Sequence, residues 1–418
     1  MLFPWVGICV LATSSLLNPS YEEFVFFEQT SMRKIPHVEW IPSSAKPAET
    51  LSQLVLYSML YLSALNLLTL RLRRTIRLIL ICLLINGVVL AVFGTLQKLV
   101  GSEIFFGLQK SPNPKFFATF IYHNHWGAFA IQLAAIGFGL STHYYKSLKN
   151  MPLMRSYVPA LLTAVLFLLV SIPLSASRSS TLFAMILVGI GLVYLLRLIF
   201  RATRQAPRER LKALVWIGVI LILSVAGIYR IAKPVIDERI ADTIQQLKKE
   251  EHYAFVESQQ IFYVDSRFRL YRDTLEMIEE KPVWGWGLGS YEFVFQQFNT
   301  QSNAASRWFS IYRDAHSDWL ELLAELGIVG LLLVVAMFAP LLFVSPLRFL
   351  FRSNQGFLML GALLMCGYAL IEFPFVNPAV AITFLILYFS AVRLAHLDHV
   401  NYAPERSTPE SSQRLPAH

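Results

Sequence analysis

Apolar runs of about twenty residues recur along this chain, at residues 51–70, 76–97, 116–140, 157–174, 180–197, 212–230, 319–344, 356–372 and 377–395. Coiled as an α-helix, a run of that length matches the hydrocarbon thickness of a bilayer, where backbone groups must be satisfied within the segment. A tenth, shorter run covers residues 2–17. It lacks the basic start of a leader and reads as a short first helix, with a cleaved signal as the alternative. Composition agrees, with 55% hydrophobic residues, 15% charged and a mean hydropathy of +0.52. The expected fold is an all-α, polytopic bundle of about 10 transmembrane helices. It divides into N-terminal spans over 1–230, one large external helical loop over 231–318, C-terminal spans over 319–396, and a disordered tail over 397–418 that is rich in Pro, Ser and charge.

Loop charge sets the expected orientation. Alternate loops carry Arg71, Arg73, Arg74 and Arg77, then Lys146, Lys149 and Arg155, then Arg197 to Lys212, then Arg348 and Arg352. The first loop on the other side carries Glu22, Glu23, Glu28, Glu39 and Glu49 instead. Basic loops stay in the cytoplasm, so both termini are expected inside and residues 231–318 outside. The net charge of +9 is then mostly a topological signal. It gives no ground for nucleic acid binding, although basic inner loops also favour anionic membrane lipids. Cys9, Cys82 and Cys366 all lie in apolar runs, which speaks against a disulfide framework or a cysteine zinc site. The chain has no GxxxxGK phosphate loop and no GxGxxG after a strand.

Polar residues inside the spans separate a carrier from a surface enzyme. An ion-coupled carrier needs ionisable groups near the midplane, but the main mid-span polar residues here are Asn66, Asn86 and Gln132. The unusual polar groups gather at helix ends that the loop charge places outside: His123, Asn124 and His125, then Arg178, His316 and Glu372. His316 precedes an apolar run, with Asp318 as the expected N-cap and Glu321 three residues later. The positive end of that helix favours the neutral imidazole, a general base, against the plainer reading of an interfacial polar residue. Arg178 lies in the turn Ser175-Ala176-Ser177-Arg178-Ser179-Ser180. It suits either phosphate chelation or a snorkelling anchor. Arg267 and Arg269 interleave with Phe268, Leu270 and Tyr271, which equally suits a helix lying on the membrane surface. His123 and His125 point to different sides of a helix and have no completing ligand nearby, so substrate contact or packing is favoured over metal. Glu372 suits an arginine partner or a sugar hydroxyl, and Glu325 a buried structural role. Trp284 and Trp286, set among Gly285, Gly287 and Gly289, suit sugar stacking or an interfacial position.

At these residues the chain resembles the bacterial O-antigen ligase and Wzy-type polymerase superfamily of membrane glycosyltransferases, over about residues 116–390. Ala118-Thr119-Phe120 with Asn124-His125 looks like the family's "GTF…NxN" entry to a helix. Ser177-Arg178, with Gly189 eleven positions on, looks like its "SxSR" arginine. Ser266-Arg267 through Pro282 to Gly289 is similar to its "SGRxxxW…hPxxGxG" block, with Tyr271 in place of the usual Trp. His316-Ser317 with Gly327 and Gly330 satisfies the ligase pattern H-[NSQ]-x9-G-x-x-G, and Glu372-Phe373-Pro374 looks like the EFP segment of related protein O-oligosaccharyltransferases.

The resemblance implies transfer of an oligosaccharide from undecaprenyl diphosphate to an acceptor hydroxyl on the periplasmic side of the inner membrane. No metal or other cofactor is expected. Arg178 and Arg267 would hold the diphosphate and His316 would activate the acceptor, with inversion at the anomeric carbon. Substrate contacts would come from Arg269, Asn124, His125, Glu372 and Trp286. The acceptor would be lipid A core in a ligase, or a second lipid-linked glycan in a polymerase. A protein glycosylase, a non-catalytic glycan exporter and a structural scaffold are the alternatives.

Overall fold

The computed structural model describes residues 2–26, 29–101, 104–105, 109–111, 113, 115–147, 156–175, 177–202, 208, 211, 215, 266–300, 312–344 and 354–402. The expected span at 212–230, apart from Val215, the first part of the large external loop and most of the C-terminal tail lie outside the described residues. The helices are α1 (Leu2–Leu16), α2 (Pro47–Leu65), α3 (Arg73–Val100), α4 (His123–Ser147), α5 (Val158–Leu174), α6 (Arg178–Ala202), α7 (Ser266–Glu280), α8 (Asp318–Val344), α9 (Asn354–Tyr368) and α10 (Pro378–Tyr402). Two antiparallel hairpins join them: β1 (Tyr21–Phe26) with β2 (Gln29–Lys34), and β3 (Ile104–Phe105) with β4 (Gln109–Lys110). The architecture is all-α as expected, with these two short hairpins confined to connections between helices. The first forms where Tyr21, Phe24, Val25 and Phe26, residues that favour strands, lie in a stretch too short and too charged for a span.

Among the described residues, five helices are long and apolar enough to cross a membrane: Pro47–Thr69, Arg73–Val100, Arg178–Arg197, Asp318–Ala339 and Pro378–Val400. Leu2–Leu16, Val158–Leu174 and Gln355–Tyr368 are apolar but shorter, so the expected count of about 10 spans is not reached among the described residues. α4 departs for a different reason. It begins at His123 because Phe117 and Phe120 bond each other across a tight turn instead of continuing the helix. Its sequence is rich in Ala and Gly, with Gln132 at its middle, and nearly every residue from Asn124 to Thr142 is buried. α4 is thus enclosed by protein and not by lipid, packing most extensively on α5 and α9. Small residues permit that closeness. A Cβ on Gly127 would fall on the Ser180 side chain at the start of α6.

The main apolar core runs through α2 to α6, α9 and α10. A second, smaller core gathers Tyr21, Leu270, Met277, Trp286, Tyr291 and Phe295, and attaches α7 and the first hairpin to the outer part of α8. α8 makes that attachment possible because it is broken at Gly327, whose φ of 61° and ψ of −169° are not helical. The break frees backbone groups, and the segment after α7 takes them up. Trp286 and Gly287 N–H donate to the Ala324 and Glu325 carbonyls at 3.0 and 2.8 Å, while Ile328 N–H donates to the Pro282 carbonyl at 2.9 Å. Cβ atoms on Gly285 and Gly327 would fall on the Glu325 and Val283 carbonyl groups respectively, and both residues have positive φ. The glycines of the two sequence motifs therefore let one backbone dock directly on another.

Candidate functional site

Glu372 lies beyond the end of α9 in the connection to α10, and its side chain is only 1% exposed. Three separate elements converge on its carboxylate. From α7, Arg267 Nη2 donates to Oε1 at 2.9 Å, while Nη1 donates to the Ile371 carbonyl at 3.3 Å. From the first turn of α6, Ser179 Oγ donates to the same Oε1 at 2.9 Å. From the entry to α8, His316 Nδ1 stands 4.0 Å from Oε2. That is within ion-pair range but beyond a hydrogen bond, and neither Nδ1 nor Oε2 has a hydrogen-bond partner. Burial would raise the Glu372 pKa, but the His316 ring, the Arg267 cation and the Ser179 hydroxyl outweigh it and hold it below the ordinary carboxylate value. Burial likewise works against the Arg267 cation, and the adjacent Glu372 carboxylate reverses this, leaving its pKa raised.

His316 is held in an unusual conformation. Its φ of 51° is left-handed, a region that costs a non-glycine residue roughly 1–3 kcal/mol unless surrounding contacts fix it. Those contacts are present. Tyr271 OH donates to the His316 carbonyl at 3.0 Å, the Phe373 ring packs edge-on against the imidazole with centroids 4.8 Å apart, and Asp318 N–H donates to the Glu372 carbonyl at 3.3 Å. Ser317, not Asp318, caps α8, since Leu320 N–H donates to its Oγ at 3.4 Å. The Asp318 carboxylate is occupied elsewhere, accepting from Phe375 N–H at 3.0 Å, so it is unavailable for the capping role expected of it.

A second layer supports Glu372. Tyr368 and Ser180 hydroxyls lie 2.8 Å apart, and Ser177 Oγ donates to Ser180 Oγ at 2.6 Å, which locks the turn before α6. Asn124 and His125 serve this layer. The Asn124 amide donates to Tyr122 OH at 3.0 Å, and His125 Nε2 donates to the Phe373 carbonyl at 3.1 Å. Both side chains are buried and internally bonded in this arrangement.

The remaining expected site residues are placed differently. Arg178 opens α6 and is exposed, one residue from Ser179. Arg269 is half-buried and, two residues along α7 from Arg267, points to another side of the helix. Trp286 is a core residue and not a sugar platform: it is 3% exposed, its indole N–H donates to the Met277 carbonyl at 2.9 Å, and Lys281 Nζ sits 4.3 Å over its ring. That burial, with Lys34 nearby, pushes the Lys281 pKa down to about 8. Glu372 is enclosed by Arg267 and Ser179, the arginine-partner arrangement and not a sugar contact. Tyr271, Ser179, Tyr368 and Phe373 were not singled out by sequence reasoning as site-forming. Tyr271 and Phe373, which occupy motif positions, and Ser179, beside Arg178, carried some signal, and Tyr368 none. Among the described residues, no group of three or more His, Cys, Asp or Glu side chains is arranged to hold a metal ion.

Long apolar helices around a buried polar cluster at their ends define a multi-spanning helical membrane protein. Residues 163–335 match the family model described as O-antigen ligase, so the chain carries an O-antigen ligase domain over that part of its length. The match includes Arg178, Arg267, His316 and Gly327, while Asn124, His125 and Glu372 fall outside it. A comparison with curated proteins finds no match.

Proposed function

We propose that this protein transfers a glycan from undecaprenyl diphosphate to an acceptor hydroxyl on the outer side of the inner membrane, and that the acceptor is lipid A core, as in an O-antigen ligase. The observation that carries this reading is the convergence of His316, Arg267 and the start of α6 on Glu372, with His316 and Arg267 both inside the matched O-antigen ligase domain. A carboxylate facing Nδ1 selects the tautomer in which Nε2 is the proton acceptor. The gap of 4.0 Å suits a pair that tightens when substrate arrives, as catalytic hydrogen bonds in unliganded enzymes often do.

In the proposed step the acceptor hydroxyl gives its proton to His316 Nε2, and its oxygen attacks the anomeric carbon from the face opposite the leaving group. The bond from that carbon to the diphosphate oxygen breaks, and undecaprenyl diphosphate leaves with the electron pair. The anomeric configuration inverts. Arg267, whose side chain remains 41% exposed, and the exposed Arg178 supply positive charge to the leaving group, and positioned cations act most strongly where charge develops. Glu372 orients the base and Arg267 together.

The test is transfer from purified undecaprenyl-diphosphate glycan to lipid A core or to a second donor molecule, using wild type and His316→Ala in detergent with chelator. Glycosylated core, formed by wild type and lost in His316→Ala, is the expected result. Laddered chains on the lipid carrier would replace the ligase assignment with a polymerase. Full activity in His316→Ala would remove the proposed base.

A further inference from the structure

The far end of the bundle holds a second concentration of charge that the transfer chemistry does not use. α3 brings Arg73 and Arg77 there, four residues apart on one helical face, and the last turns of α10 bring Arg393, His396 and Asp398. Arg73 is engaged within the protein through Nη2, which donates to the Leu397 carbonyl at 2.6 Å and pairs with Asp398 at 2.9 Å. Gln355 also donates to Asp398, at 2.6 Å, and Arg393 Nε donates to the Leu70 carbonyl at 2.7 Å. Asp398 is therefore already shared. Arg77 lies within electrostatic reach of Arg73, Tyr144 and Asp398, yet its Nε is enclosed without a hydrogen-bond partner, as is His396 Nδ1. An arginine does not give up its proton, so this Nε–H is a donor in need of an acceptor.

The adjoining surface indicates what supplies the acceptor. Arg74 is exposed, and Leu78, Ile85 and Val89 follow it on the same face of α3, with exposures of 58%, 58% and 59%. A ligand with an anionic head and long apolar tails matches both parts. We propose that this end of the bundle is a binding site for an anionic phospholipid, its phosphate held by Arg74 and Arg77 and its acyl chains lying along the Leu78–Ile85–Val89 stripe. Nε and one Nη of a guanidinium can hold a phosphate together as a two-bond fork. The site is independent of the glycan-transfer reading.

Native mass spectrometry of the full chain from detergent, after titration with phosphatidylglycerol, phosphatidylcholine or inorganic phosphate, tests this. Phosphatidylglycerol should be retained in preference to phosphatidylcholine. Arg77→Gln and Arg74→Gln should each weaken retention about fivefold, the equivalent of ~1 kcal/mol per basic residue at a membrane surface. Arg33→Gln, on the first hairpin, and His316→Ala should retain the lipid as wild type does. Arg74 is exposed, so its variant carries the test even where Arg77→Gln folds poorly. Equal retention of the two lipids, unchanged retention in Arg74→Gln, or displacement of phosphatidylglycerol by inorganic phosphate would each overturn the proposal.

Discussion

A histidine at φ 51° sits where a glycine would be easier to accommodate, and its neighbours keep it there. Such strain persists where the side chain is worth more than the stability it costs. Replacing His316 by Gly should therefore give a protein at least as stable as His316→Ala, by about 1 kcal/mol, because only the glycine adopts that backbone freely. Both variants should lose transfer activity. Thermal denaturation of the two side by side checks the strain, and an alanine variant clearly the more stable would refute it. Glu372 is tested through both rate and pH. As a positioning residue, Glu372→Gln should lower kcat about 100-fold with little change in KM, because in the proposed step it acts through His316 and Arg267. Its folded-state pKa lies below the ordinary 4.5, so the stability it contributes is complete above pH 4.5 and is lost as pH falls through the depressed value. The difference in melting temperature between wild type and Glu372→Gln should be steady near neutrality and shrink below pH 4.5. Sequence reasoning singles out His316 and Arg267 through their motif context. The Glu372 hub was ambiguous because a lone carboxylate at a helix end looks the same whether it faces solvent or an arginine from α7, which lies 105 residues away in the chain.

The broken helix α8 and the glycine segment after α7 form one device, although the sequence presents them as two motifs. Gly285, Gly287 and Gly289, and Gly327 and Gly330, stand in the sequence only as motif glycines, and the structure adds that Gly285 and Gly327 each lie against the backbone of the other's segment. That pairing was not legible because apolar periodicity runs through Gly327 without interruption; only the third-dimensional approach of Pro282–Gly287 requires the break. The misplacement of Trp286 has the same origin, since an aromatic among glycines reads as exposed until the second core is assembled around it. Gly285→Ala and Gly327→Ala should each destabilise by at least ~1–3 kcal/mol, combining positive φ with a clash against a carbonyl group. Once the docking is lost to one substitution, the second has less to remove. The double variant should therefore lose clearly less than the sum of the singles in thermal unfolding. Full additivity would mean that the two glycines act separately.

At the scale of the whole molecule, α10 runs from the Glu372 connection to the Arg73 and Asp398 cluster, and the stretch from Pro378 to Asp398 rises ~30 Å at the usual pitch. That matches the ~30 Å of a hydrocarbon core, which argues for the two polar clusters at opposite membrane faces. Charge then decides which face is which. Arg71, Arg73, Arg74 and Arg77 lie at the Asp398 end, while the first hairpin and the Trp40 segment, which accepts a hydrogen bond from Trp284, lie with the second core near His316. The excess of arginine argues that the Asp398 end is cytoplasmic and the Glu372 cluster outside. The direct check replaces Cys9, Cys82 and Cys366 by Ala, then introduces one cysteine at the exposed position Trp40 or Arg74. Trp40→Cys should react with a membrane-impermeant maleimide in intact cells, and Arg74→Cys only after the inner membrane is permeabilised. The reverse pattern would place the cluster in the cytoplasm, where a lipid A core acceptor displayed on the outer leaflet is out of reach. It would thus remove the ligase reading without altering any contact around Glu372.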